Sequence, residues 1–170
     1  MECYSSEVVS YMRILDRLLK HMETNTVKME GRILLIHRDS NGIPKTVKTI
    51  KNVVTNVGLA QMAGLFNGVA TTAFTYVAIG SSSASASASD TALGDELYRS
   101  AGTTSRTTTN VTDDTAVIEH TFDFTSSHTI REAGLFDADT GGNMACRQVL
   151  SDISVESGDS LKIIWKVTFS

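Results

Sequence analysis

A chain of 170 residues is close to one domain's worth, which argues against a multidomain enzyme. The residues are 41% hydrophobic and only 20% charged, with 19 Ser and 21 Thr, so the composition points to β-rich structure; no apolar run reaches the roughly 20 residues of a membrane span. The net charge of −4 divides into nine Lys/Arg against six Asp/Glu over residues 1–51 and six against thirteen over residues 52–170, a balance that argues against the main body gripping nucleic acid.

The first 30 residues carry charges where a secretory signal has an uncharged apolar centre, so export by that route is not expected. From Glu7 to Met22, Val8, Tyr11, Met12, Leu15, Leu18, Leu19 and Met22 recur at three- and four-residue steps, which predicts an amphipathic helix capped by Ser5 or Ser6. A helix this short is marginal alone in water, so the stripe is expected to dock on the domain, on a partner or on copies of itself. These seven residues are the candidate partner-binding set, on an arm spanning residues 1–25 ahead of a domain spanning 26–170.

From Val27 the period changes to two. Val27, Met29, Ile33 and Leu35 alternate with charged residues up to Asp39-Ser40-Asn41-Gly42, where Asn-Gly predicts a primed turn. Residues 27–54 therefore read as a hairpin whose second strand, opened by Pro44 and dotted with Lys45, Lys48 and Lys51, is an edge. After Asn56, Leu59, Met62, Ala63 and Phe66 share one helical face, and Gly68 suits the position after the last turn; a short buried helix is expected.

Phe74 to Ile79 reads as a strand, and Ser81 to Ser89 as a low-complexity Ser-Ala surface loop. Further strands are predicted at Leu97–Arg99, Thr104–Val111, Ala116–Phe124, Thr129–Phe136, Met144–Val149 and Leu161–Phe169, with turns at Thr112–Asp114 and Asp137–Asn143. In the last strand Leu161, Ile163, Trp165, Val167 and Phe169 alternate with polar residues. The predicted fold is mainly β: an antiparallel, jelly-roll-like β-sandwich with one short inserted helix and an N-terminal amphipathic helical arm.

Motifs for chemistry are weak throughout. His21, His37, His120 and His128 have no metal-ligand spacing and read as chance strand or surface positions. The Asp137–Asn143 segment resembles the opening of a calcium loop, but Gln148 stands where the bidentate carboxylate belongs, so a turn is the better reading. No nucleotide loop or nucleophile elbow occurs, and the adjacent carboxylates Asp95/Glu96 and Asp113/Asp114 read as solvated turn charges. Cys3 and Cys146 are expected to be free thiols in a reducing compartment. Leu135 and Phe136 are expected to face the core, Gly134 to permit close packing or a bulge, and Glu132 to pair with Arg131 or Arg147 at the surface. No catalytic, cofactor or metal residue is assigned.

Five windows in fixed order carry a family likeness: Val54–Gly68 (VTNVGLAQMAGLFNG), Thr75–Gly80 (TYVAIG) with the small-residue run, Ser89–Leu97 (SDTALGDEL), Ile130–Asp137 (IREAGLFD) and Ser157–Leu161 (SGDSL) with its terminal strand. Together they resemble a domain of structural proteins of tailed bacteriophages, over roughly residues 46–170. The resemblance implies a non-enzymatic virion component of the tail, baseplate or fibre, or a head-decoration (cement) protein, assembled in the host cytoplasm. It further implies association with other virion proteins and with identical subunits, a homotrimer by the symmetry of fibres. The competing reading is a fibre-tip module that binds a host surface glycan through Tyr98 or Tyr76. The Ser-Ala loop and the Thr-rich edge at residues 103–109 are the candidate contacts with neighbours.

Overall fold

The computed structural model describes residues 10–17 and 27–170. Residues 10–17 are helical (α1), and a second helix, α2, spans Asn56–Asn67. The ten strands are β1 (Met29–Arg38), β2 (Pro44–Lys51), β3 (Val53–Val54), β4 (Tyr76–Gly80), β5 (Glu96–Ala101), β6 (Thr103–Thr107), β7 (Thr115–Asp123), β8 (His128–Phe136), β9 (Met144–Val155) and β10 (Ser160–Phe169). They form two antiparallel five-stranded sheets, ordered β2-β1-β10-β7-β6 and β3-β9-β8-β4-β5. The predicted mainly β fold is observed.

Period-two patterning sets the first sheet. Trp165 of β10 lies opposite Ile33 of β1 and Ile118 of β7, and Ile163 opposite Leu35, so one row of side chains enters the core from three strands. The second sheet answers with Val77, Ile79, Ile130, Leu135, Cys146 and Ile153, all buried in the same cluster. Lys45, Lys48 and Lys51 fall on β2, an edge of the first sheet, and the Thr-rich β6 is its other edge.

Two local expectations change. In the β1–β2 turn only Gly42 has a positive φ, at 77°, and its N–H donates to the Asp39 carbonyl at 2.8 Å. A primed turn needs left-handed backbone at Asn41 as well, so this is a longer hairpin connection, held by the Asp39 carboxylate accepting from the N–H groups of Asn41 and Ile43. The α2 face carrying Leu59 and Phe66 points outward, not into the core: Leu59 is half exposed and Phe66 is 95% exposed.

The reason lies at the start of that helix. Thr55 is its N-cap, accepting from the Gly58 N–H, and it is buried against β9. A Cβ on Gly58 would stand 2.5 Å from the Ala145 carbonyl oxygen and 2.7 Å from its Cα, so this face has to carry glycine for the helix to lie directly on the strand. The glycine face packs, with Met62 partly buried against the core, while Leu59 and Phe66 are turned away. Gly68 closes the helix in the left-handed conformation, as expected.

Candidate functional site

The second sheet is covered on its outer side by residues 81–95, which makes a third layer. Leu135 enters the main core, while its neighbour Phe136 projects to the opposite face and is buried there with Ala78, Leu93 and Met144. A Cβ at Gly134 would meet Leu93 and Phe136 at 3.0 and 2.7 Å, so the bare glycine lets the loop settle onto the strand. Arg99 closes the cluster, its guanidinium 3.5 Å from the centre of the Phe136 ring.

A buried ion pair holds this layer. Glu132 is completely buried, which corrects the expected surface pairing: its carboxylate accepts from Arg147 at 2.8 Å and from the N–H groups of Gly94 and Asp95 at 3.0 and 2.8 Å. Arg147 also donates to the Ala84 and Ser85 carbonyls and to Asp90. Burial works to lower the Arg147 pKa, but the bonds to Asp90 and Glu132 outweigh it and hold the guanidinium charged. Arg131 instead pairs with the exposed Asp152. The Ser-Ala segment is thus a surface loop, as expected, but one gripped from beneath. Its Ala88 carbonyl accepts from the Asn56 N–H at 2.7 Å, which joins it to the start of α2.

At another corner, Asp159 in the β9–β10 turn contacts the β1–β2 hairpin. Its carboxylate lies 2.9 Å from His37 Nε2 and 3.1 Å from Lys45 Nζ, and accepts from the Glu156 N–H. His37 is therefore a buried, engaged side chain, not a chance position. Hydrogen bonding to His37, aided by Lys45 and the Glu156 N–H, outweighs burial and holds the Asp159 carboxyl down at about 2, against an ordinary 3.8. A lowered carboxyl pKa contributes stability that is present above the unfolded value and lost as pH falls through the folded one. Comparing thermal unfolding of wild type and Asp159→Asn, the gap between them should be full above about pH 4 and close towards pH 2. Parallel profiles over that range would remove Asp159 from the account.

The remaining candidate residues are structural or exposed. Asp137 is buried and caps its turn by accepting from the Asn143 N–H at 2.7 Å; Asp114 accepts from the N–H groups of Thr109, Asn110 and Val111, which lower its carboxyl to about 2. Cys146 is a free, buried thiol, pushed up to about 12 by burial and therefore unreactive. Among the described residues no three His, Cys, Asp or Glu side chains gather to hold a metal ion, and no helix is long and apolar enough to cross a membrane. Tyr98 is 41% exposed with its hydroxyl 2.9 Å from His128 Nε2, while Tyr76 packs against the Phe136 cluster.

Of the arm stripe, Tyr11, Met12 and Leu15 lie on α1 with their side chains exposed, joined by Ile14; Val8, Leu18, Leu19 and Met22 lie outside the described residues. The outward stripe of α2 departs from the buried helix that its apolar periodicity predicts. Its signal was Gly58, which marks the face that can approach a strand.

The described residues thus form a two-sheet sandwich whose buried charges brace surface loops. The sequence model of one family, described as Podophage GP4 fiber I protein gp80, matches residues 52–166. The match takes in more than half of the chain and most of the segment bearing the phage-like windows, so the chain belongs to this family of phage fibre proteins. No curated protein and no solved structure matches it. It is a virion component of the fibre type, and a fibre associates with other virion proteins.

Proposed function

We propose that the protein is a fibre building block with a geometric, non-catalytic role. It assembles in the host cytoplasm as symmetric copies, three being the expected number, with the sandwich as the body and the N-terminal helix as the attachment element. The observation that carries this reading is the exposed apolar side of α1, where Tyr11, Met12 and Leu15 are 72%, 65% and 48% exposed in a family of fibre proteins. Exposed apolar side chains in such a row favour association, each contributing about 1.5–3 kcal/mol when fully buried.

The test is the solution mass of the full chain by light scattering, beside the variant Leu15→Asp with Leu18→Asp. Wild type should run as a trimer or larger assembly and the variant as a folded monomer, with unchanged far-ultraviolet circular dichroism from the sheets. Loss of the β signal would place the helix in the core instead. A wild-type monomer would mean that the arm does not drive self-association.

A further inference from the structure

The outer face of the first sheet carries a row of like charges. Lys51 of β2, Arg32 of β1 and Lys166 of β10 stand opposite one another in register, so three cations share one cross-strand line. Like charges in that arrangement cost stability. Lys51 is accounted for as the guard of an edge strand, but β1 and β10 are interior strands, each paired on both sides. Among the described residues neither Lys51 nor Lys166 has an ion-pair partner, and Arg32 has only Glu30, at 3.7 Å with both side chains more than half exposed.

Arg32 and Lys166 line a groove of about 540 Å³, the size of a small-ligand site. Its wall is preformed: the Asp114 carboxylate accepts from the N–H groups of Thr109, Asn110 and Val111, and the hydroxyls of Thr109, Thr115 and Thr168 are linked at 2.7 and 2.9 Å, which fixes the loop before β7 against β10. In the 170-residue chain the acids lining the groove are Glu30 and the Ser170 carboxylate, so with Lys51 at its margin the cations stay in excess. We propose that this groove binds an acidic saccharide, with a sugar carboxylate on Arg32 and Lys166 and sugar hydroxyls on Glu30, Thr49 and Asn110. A guanidinium beside an ammonium suits a carboxylate, and Glu30 accepts from hydroxyls while repelling a densely anionic chain. The lining holds no aromatic ring on which a neutral sugar could stack, so charge has to supply the recognition. A peptide fits less well, because the main chain of the floor is already paired within the sheet and Leu34 is the one apolar side chain in the lining.

The experiment titrates the full chain with trigalacturonate, maltotriose, triglutamate and inorganic phosphate by calorimetry at about 0.15 M salt, where attraction between distant exposed charges is screened. Trigalacturonate should bind saturably and maltotriose should not. Arg32→Gln and Lys166→Gln should each weaken trigalacturonate about tenfold or more, the loss of one charge-assisted contact. Arg106→Gln removes the same charge from an exposed position on β6 outside the groove and should leave binding unchanged. Lys166→Gln should also keep or raise the urea midpoint, since it relieves the row of like charges. A lower midpoint would make that cation part of the sheet's own stability and overturn the argument. The proposal fails if trigalacturonate does not bind, or if Arg106→Gln weakens it as much as Lys166→Gln, which would mean diffuse attraction. It fails equally if triglutamate binds as tightly, which would make the groove an acidic-peptide site, or if phosphate does, which would mean an ion site only. The groove does not depend on the arm, so a monomeric chain is still expected to bind.

Discussion

Glu132→Gln is expected to lower the unfolding free energy by about 3–5 kcal/mol, the cost of removing one partner from a buried ion pair. The substitution preserves volume, so the loss is electrostatic. Arg147 keeps Asp90 and two loop carbonyls but loses its fully buried counter-charge, and the N–H groups of Gly94 and Asp95 lose a carboxylate acceptor. Urea unfolding reads the global loss. Native-state hydrogen exchange reads the local one: the Gly94 and Asp95 amides should lose protection before those of the β1–β10 pair. A loss below about 1 kcal/mol would put the contact in the class of solvent-exposed pairs and contradict its burial.

Trp165→Ala is expected to cost about 3–5 kcal/mol, the range for emptying a large aromatic site in a packed core. Trp165 is completely buried at the middle of β10, between Ile33 and Ile118, so the cavity would open between three strands at once. Trp165→Phe should cost clearly less, because it keeps much of the volume and removes an indole N–H that has no hydrogen-bond partner among the described residues. Urea midpoints order the three proteins. If Phe proved as damaging as Ala, filled volume would not be what Trp165 contributes.

Most of the framework could be read from side-chain period. The alternation through β10, the lysine edge of β2 and the turn residues at 112–114 and 137–143 each act within a few positions, and each element appears where its pattern lies. What escaped were facts decided by distant residues. Met144–Val149 was expected to be a short strand, yet β9 runs on to Val155 because β8 pairs with it as far as His128. Glu132 and Arg147 meet across that same pair of strands, and their burial depends on a loop fifty positions earlier that carries no large side chain until Leu93. The orientation of α2 is not set by its apolar pattern, for a related reason. Periodicity finds the apolar face of a helix but not which face a neighbouring strand can approach, and at Gly58 backbone contact outranked hydrophobicity. Of the arm stripe, Tyr11, Met12 and Leu15 fall within the described residues and lie exposed on α1.

The grip on the Ser-Ala loop has a consequence for how the surface of this domain can change over generations. Arg147 holds the carbonyl oxygens of Ala84 and Ser85, and Asn56 holds that of Ala88, so the anchors read main chain and ignore the side chains standing above it. Positions 83–85 and 87–89 are outward-facing. Mutations there can rewrite the chemistry of this surface while Glu132, Arg147 and Asp90 preserve its contour, which separates what is displayed from what displays it.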